Sequence, residues 1–85
     1  MTYRVAWTEL ADEELAAVWL QSSDRNAVTK MANLLEWLLT NFPFNVGESR
    51  ESTLSRIVYS SPLGMYFEII PDDLKVLIHS VWLIR

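Results

Sequence analysis

Three apolar runs in the second half of the chain decide its predicted fold: TLSRIVY (53–59), MYFEII (65–70) and KVLIHSVWL (75–83). Each run is rich in the β-branched and aromatic residues that suit a pleated, half-buried surface. The segments between them, SSPLG (60–64) and PDD (71–73), contain the proline, glycine, serine and aspartate residues that are typical of turns. The stretch from Thr53 to Arg85 is therefore predicted to be an antiparallel meander of three strands.

The beginning of the chain predicts one strand and one helix. Residues 3–7 alternate with the period of two that is typical of a short strand with one buried face. Thr8 or Asp12 is a candidate N-cap for a helix over about residues 9–20, whose acidic first turn favours the positive end of the helix dipole. Apolar residues recur on one side of this helix, and we expect Trp19 to be a core residue within that stripe. The stripe consists of Ala11, Leu15, Val18 and Trp19.

A second helix is predicted to start after Asp24 as its N-cap and to run to about Asn41. Trp37 lies beside its apolar stripe, where it either covers the edge of the helix pair or contacts a partner. The segment that follows, residues 41–51, holds a proline and a glycine, has no periodicity and is predicted to be a loop. The stripe consists of Ala27, Met31, Leu34, Leu35, Leu38 and Phe42.

The first strand of the meander places a charged residue in an apolar row. Arg56 shares one side of that strand with Leu54 and Val58. A buried charge without a partner would cost several kcal/mol. We therefore expect this arginine either to pair with an acid such as Glu68 or Glu48 or to serve a functional site.

The other two strands of the meander differ in pattern. In the run at 65–70, odd-numbered and even-numbered residues are predicted to lie on opposite faces. The last run is apolar on both faces, which is typical of a central strand covered on both sides. Its two predicted sets are Val76, Ile78 and Trp82 against Leu77, Val81 and Leu83.

Together these elements predict an α+β fold in the order β-α-α-β-β-β, with residues 1–85 as a single domain. The first strand pairs with the meander, and the helical hairpin packs on one face of a four-stranded, mainly antiparallel sheet. The opposite face of the sheet is left partly exposed, and a working surface is expected there.

Composition and charge narrow the classes of function. The net charge is -4, with eight acidic and four basic residues in 1–51 and three of each in 52–85. Tight nucleic-acid binding is not expected, because it requires clustered positive charge and the seven Lys and Arg residues are scattered. The absence of cysteine excludes disulfides, thiolate metal sites and a cysteine nucleophile. With no membrane span or signal peptide in the sequence, a cytoplasmic location is expected.

No catalytic or metal-binding motif is evident in the sequence. His79, the only histidine, is expected to be structural, and no second histidine exists to form a metal pair with it. Asp72 and Asp73 suit a turn, and the acidic cluster at 12–14 suits the start of a helix. With only two glycines there is no phosphate-binding loop. Neither a metal nor a cofactor is expected.

Short motifs spread over almost the whole chain are similar to those of one protein family. They are Val5-Ala6-Trp7, Asn41-Phe42-Pro43 and, above all, RIVYSSPLGMYFEIIPDDLKVLIHSVW (56–82), with Arg56, Pro62-Leu63 and Tyr66 within it. In these motifs the chain resembles the RelE/ParE superfamily of type II toxin–antitoxin toxins, a group that includes plasmid stabilisation proteins. The resemblance implies the fold predicted above.

The resemblance also implies a small bacterial protein that binds a cognate antitoxin and, when free, acts on translation or on DNA gyrase. In the branch that cleaves mRNA on the ribosome, basic residues of the sheet stabilise the scissile phosphate, and Arg56 aligns with one of them. The key arginine of the next strand aligns with Leu63, and the arginine after the last strand matches Arg85 with a one-residue slip. Because a phosphoryl transition state requires convergent positive charge, Arg56 and Arg85 alone do not favour a ribonuclease.

The leading hypothesis is a toxin-like protein that acts through protein binding, with Trp37, Tyr66 and Trp82 as candidate contacts of an antitoxin. Gyrase or the ribosome is a further candidate partner, and a homodimer stays open. One alternative is a ribosome-dependent mRNA endoribonuclease in which Arg56 and Arg85 bind phosphate. The other is a non-toxic, stand-alone interaction domain.

Overall fold

The computed structural model describes residues 2–84, which form two helices and one five-stranded sheet. In chain order the elements are β1 (Arg4–Trp7), α1 (Glu9–Gln21), α2 (Arg25–Asn41), β2 (Glu48–Ser49), β3 (Ser55–Ser60), β4 (Leu63–Ile70) and β5 (Lys75–Leu83). The strand order in the sheet is β1-β5-β4-β3-β2. β1 runs parallel to β5, and the other neighbouring strands are antiparallel. The predicted α+β architecture, with both helices on one face of the sheet, is confirmed.

The sheet has one strand more than the four predicted. β2 lies in the segment predicted to be a loop, and its two residues pair with Arg56 and Ile57 of β3. A strand of two residues is too short to show an alternating pattern. The chain enters it through Gly47, whose positive φ of 69° suits a residue without a side chain.

Both helices begin at side-chain caps that the sequence predicts. The Thr8 hydroxyl accepts a hydrogen bond from the amide of Ala11 at 3.1 Å. The Asp24 carboxylate accepts one from the amide of Ala27 at 3.0 Å. Each cap satisfies an N–H group that the first helical turn leaves without an intrahelical partner. Asp12, the alternative cap of α1, lies inside the helix.

The core lies between the helices and the sheet. Its largest fully buried side chain is Phe67 of β4, and Tyr3, Val5 and Trp7 of the β1 region pack against the core from its edge, as predicted. Removing these apolar side chains from water is the main favourable contribution to folding. The buried members of the hydrophobic core are Ala11, Val18, Val28, Ala32, Leu35, Leu39, Val46, Leu63, Met65, Phe67, Ile69, Val76, Ile78 and Val81.

The buried side of α2 is rotated relative to the predicted stripe. Leu34 and Phe42 were predicted to be core residues but are 46% and 50% exposed. Leu34 is about 100° around the helix from the buried Leu35, and Phe42 lies beyond the last helical turn. The buried residues of the helix are Val28, Ala32, Leu35 and Leu39.

Trp19 of α1 is not the core residue that its place in the stripe predicts. Its side chain is 40% exposed, and the guanidinium carbon of Arg25 lies 4.7 Å from the centroid of its ring. The same guanidinium donates hydrogen bonds to the carbonyl groups of Trp19 and Leu20, at 3.1 and 3.2 Å. Arg25 thus ties the end of α1 to the start of α2, and the ring lies beneath it in a cation–π contact.

A β-bulge interrupts the pairing of β4 with β5. On one side of it Phe67 pairs with Ile78, and on the other side Tyr66 pairs with Ser80, so His79 is the extra residue. An extra residue shifts the alternation of the side chains that follow it. Before the bulge the even-numbered residues Val76 and Ile78 therefore face the helices, and after it the odd-numbered residues Val81 and Leu83 do so.

Because of the bulge, the residues on each face of β5 differ from those predicted. Val81 is buried together with Val76 and Ile78, whereas Trp82 lies on the opposite face. The predicted grouping of Trp82 with Val76 and Ile78 is wrong because the sequence pattern does not reveal the bulge. The prediction that β5 lies inside the sheet is confirmed, since it lies between β1 and β4, but the helices cover only one of its two faces.

Candidate functional site

One face of the sheet is covered by neither α1 nor α2. On β4, Met65 and Phe67 face the helices and are buried, so Gly64, Tyr66 and Glu68 face the other way. Neighbouring strands add side chains to the same face. We term its ring-bearing residues the aromatic face, which consists of Tyr59, Tyr66, His79 and Trp82.

One end of the aromatic face depends on a glycine. Gly64 pairs with Tyr59 on one side and with Trp82 on the other. A Cβ atom at position 64 would overlap the indole of Trp82, so the missing side chain lets the indole lie directly against β4. Across this gap Trp82 meets Tyr59 edge-on, with ring centroids 6.0 Å apart. The Tyr59 side chain is 65% exposed, so a large part of this pair is open to a partner.

The other end of the aromatic face carries a polar pair. The ring centroids of Tyr66 and His79 are 5.6 Å apart. The Nε2 atom of His79 lies 3.1 Å from a carboxylate oxygen of Glu68, and both side chains are partly exposed. An exposed pair of this kind adds little to stability. The contact agrees with the structural role predicted for His79. It also adds a hydrogen-bonding pair to the face that carries the rings of Tyr59 and Trp82.

Beyond Ile57, β3 forms an edge of the sheet, because no described strand pairs with its outer side there. Ser55 accepts a hydrogen bond from the amide of Arg50 across this edge, at 2.8 Å, and β2 pairs only with Arg56 and Ile57. By alternation, Tyr59 is the next residue whose backbone groups point to the edge. An unpaired edge of this kind can accept a strand from another chain.

Arg56 lies on the helix-covered side of β3, opposite the aromatic face. Its guanidinium holds the loop that precedes β3, and no carboxylate among the described residues pairs with it. The expected pairing with Glu68 or Glu48 is wrong, because carbonyl oxygens satisfy the charge instead. The acceptors are the carbonyl groups of Val46, Gly47 and Thr53, at 2.9, 3.0 and 3.2 Å, and the hydroxyl of Ser49, at 3.4 Å.

We expect Arg56→Ala to lower the free energy of unfolding by about 1.5–3 kcal/mol, the usual range for hydrogen bonds to a charged group. Amides of residues 47–53 should exchange with solvent faster, because the loop loses its only side-chain anchor from β3. Thermal denaturation and hydrogen exchange would measure the two effects. The matched control is Arg50→Ala in the same loop, which should change stability by less than about 0.5 kcal/mol. Equal effects of the two substitutions would contradict the structural role of Arg56.

The structure brings together two of the three predicted contact residues. Tyr66 and Trp82 share the aromatic face, whereas Trp37 lies on α2, where it is 56% exposed and packs edge-on against Phe42 with centroids 5.9 Å apart. Arg85 lies outside the described residues. Sequence reasoning missed Tyr59: its parity in β3 groups it with Ile57, but only the pairing of β3 with β4 puts both on the face of Tyr66.

Within residues 2–84, no group of three His, Asp or Glu side chains is arranged to hold a metal ion. In the same part of the chain, no helix is long and apolar enough to cross a lipid bilayer.

Several solved structures similar to this chain come from toxin–antitoxin systems. The isolated RelE toxin of E. coli matches 98% of this chain with 85% of its own, at a TM-score of 0.70 and 15% sequence identity. The chain has the RelE/ParE toxin fold. The predicted resemblance to the RelE/ParE superfamily is confirmed at the level of the fold.

Two structures from toxin–antitoxin systems match nearly the whole chain. A chain of the RelBE2 toxin–antitoxin complex of Mycobacterium tuberculosis has a TM-score of 0.79 and 18% identity, over 98% of this chain and 99% of that chain. A chain of the chromosomal ParDE system of P. aeruginosa has a TM-score of 0.74 and 15% identity, over 99% and 98%. No protein-family model and no curated protein matches the sequence.

Proposed function

We propose that this chain is the toxin-like component of a type II toxin–antitoxin system and that it acts through protein binding. Its antitoxin covers the aromatic face of the sheet. The observation that carries the proposal is this face, where Tyr59, Tyr66 and Trp82 remain uncovered by the protein's own helices on a sheet of RelE/ParE fold. Aromatic residues of this kind, held on a rigid sheet, commonly supply most of the binding energy of an interface.

The matched structures support a protein partner for this fold. The similar chains from M. tuberculosis and P. aeruginosa belong to a toxin–antitoxin complex and a ParDE system. In this chain, the unpaired edge of β3 beside Tyr59 adds main-chain groups that a partner strand could bind. Drawing on the same resemblance, we propose the bacterial cytoplasm as the location of the protein and gyrase or the ribosome as the target of the free protein.

The ribonuclease alternative has less support. Arg56 lies on the side of β3 opposite to Tyr66, and four acceptors of the neighbouring loop already use its guanidinium. Stabilising a phosphate would require this charge to point at the substrate. The acid–base pair of His79 and Glu68 lies on the aromatic face without a described arginine or lysine contact to hold a phosphate.

The first experiment is co-expression of this chain with the protein encoded by the adjacent reading frame. We expect the two to co-purify as a stoichiometric complex, and we expect expression of this chain alone to slow growth, with co-expression restoring it. Size-exclusion chromatography with light scattering would give the composition of the complex. Repeated recovery of this chain alone, with no effect on growth, would overturn the proposal and favour a stand-alone domain, or a homodimer if light scattering gives twice the mass.

A second measurement separates protein binding from mRNA cleavage. Purified chain is incubated with translating ribosomes, and the mRNA is analysed for cuts. We expect growth inhibition without cleavage. Cleavage that Arg56→Ala abolishes, with folding intact, would instead establish the ribonuclease alternative.

A further inference from the structure

Two basic residues lie side by side on the sheet face that the helices leave open. Arg4 of β1 is the register partner of Lys75 of β5. Their neighbours Val5 and Val76 pack into the core, so by alternation Arg4 and Lys75 point to the opposite side, which is the side of Tyr66. Arg4 is exposed and Lys75 is half-buried. We term these two residues the basic pair.

The basic pair has no counter-ion in the part of the chain that the structure describes. Like charges directly opposite each other on neighbouring strands destabilise a sheet, yet the single ion pair formed among residues 2–84 joins His79 to Glu68. Asp72 and Asp73 are close in sequence but lie in the exposed turn before β5, and neither forms an ion pair with the basic pair. A carboxylate from another molecule would therefore meet two uncompensated positive charges at this end of the sheet.

An apolar strip joins the basic pair to the aromatic face. Ile70 lies opposite Lys75, and Leu77 is the next residue of β5 on the same face. Both apolar side chains are half-buried, so a partner that covers them removes further apolar surface from water. At about 3.3 Å per residue, the basic pair lies roughly 20 Å along β5 from Trp82, a distance that about six extended residues span. A segment that crosses the aromatic face can therefore reach the basic pair with continuous contact.

The basic pair also distinguishes the two directions in which a segment could cross the sheet. Its end of the open face carries two positive charges, whereas the middle of that face carries the carboxylate of Glu68, which lies 3.1 Å from His79. An acidic side chain is attracted at the end and repelled in the middle. Because the net charge of the chain is -4, its overall field repels an acidic segment, and the basic pair supplies the local attraction.

We infer that the partner segment that covers the aromatic face continues along β5 and places an aspartate or glutamate carboxylate between Arg4 and Lys75. This inference rests on the proposed function, because it concerns the same protein partner. The apolar part of the segment covers Leu77 and Ile70. Its acidic residue lies about six positions from the residue that contacts Trp82.

A zero-length cross-link tests this contact in the complex of the full chain with the protein encoded by the adjacent reading frame. A carbodiimide joins a lysine amine to a carboxylate that touches it, and the chain has two lysines, Lys75 in the basic pair and Lys30 on the exposed side of α2. After digestion, mass spectrometry should identify an amide between Lys75 and an aspartate or glutamate of the partner, and none at Lys30. A cross-link at Lys30 without one at Lys75 would overturn the inference.

Removing the two charges tests their contribution to binding. We expect Arg4→Gln combined with Lys75→Gln to raise the partner's Kd about ten-fold at low salt and by less at high salt, because salt screens exposed charges. The Tm of the free chain should stay the same or rise, because two like charges no longer repel each other. A loss of folding would then not explain the weaker binding. Lys30→Gln is the control on α2 and should change Kd less than about two-fold.

The outcomes separate this inference from the proposed function. An unchanged Kd in the double variant, with Trp82→Ala still weakening binding, would overturn the inference and leave the antitoxin proposal standing. Failure of the unaltered chain to bind any partner would overturn both.

Discussion

Replacing Trp82 with alanine is expected to weaken binding of the proposed antitoxin by at least about 30-fold, the effect of losing about 2 kcal/mol of binding energy. Trp82 is a large, partly exposed ring on the aromatic face, where it lies against Gly64 and meets Tyr59 edge-on. A rigid strand holds it, so little conformational entropy is lost when a partner covers it. Isothermal titration calorimetry, in which the purified partner is titrated into the purified chain, would measure the change in Kd.

Two further substitutions make this result specific. Trp82→Phe keeps a ring over Gly64 and should retain most of the affinity. Trp37→Ala removes an equally large ring from α2, away from the aromatic face, and is expected to change Kd less than about three-fold, as for most residues outside an interface centre. If Trp37→Ala weakens binding and Trp82→Ala does not, the antitoxin lies on the helices and the assignment of the aromatic face is wrong.

Gly64→Val is expected to lower the free energy of unfolding by about 1–3 kcal/mol, which is the usual cost of overpacking a tight site. The first atom of any side chain at position 64 would overlap the indole of Trp82. Either the indole leaves β4 or the strands move apart. For a domain of this size, the change corresponds to a drop in Tm of about 5–20 °C. Thermal denaturation followed by circular dichroism would measure it.

The double variant of Gly64→Val with Trp82→Ala tests whether the overlap with the indole causes the loss of stability. If the overlap with the indole is responsible, the double variant should be more stable than Gly64→Val alone, by about 1 kcal/mol or more of coupling. Valine is itself favourable in a strand once the indole is gone. Additive losses from the two substitutions would show that position 64 requires glycine for a reason other than Trp82.

The parts of the fold that follow local rules could be predicted from the sequence. Thr8 and Asp24 identify the starts of both helices because their side chains accept hydrogen bonds from the first turn. Alternation in β4 identifies its two faces because one of them is wholly apolar. Each of these signals lies within a few residues of the feature it predicts.

The errors arise where a distant contact decides the outcome. Trp19 has the spacing of a core residue, yet Arg25 offers its ring a cation at the surface. Leu34 is apolar and lies next to the buried Leu35, but the sheet covers only one side of α2. The two residues of β2 form a strand only because β3 lies beside them.

The candidate site could be predicted only in part. Tyr66 and Trp82 stand out as aromatic residues of the predicted sheet, but the sequence does not show that they share a face with Tyr59. That arrangement depends on Gly64, which looks like a turn residue in SSPLG, and on the extra residue His79.

The bulge at His79 gives β5 one residue more than regular pairing with β4 requires. Deleting that residue would place Ser80 directly after Ile78, so Ser80 would still lie opposite Tyr66, and Val81 opposite Met65. Because side chains alternate along a strand, Val81 would stay on the buried face and Trp82 on the aromatic face. An in-frame deletion of the His79 codon should therefore disturb the fold less than the loss of one codon within β4, which would exchange the faces of the residues that follow it.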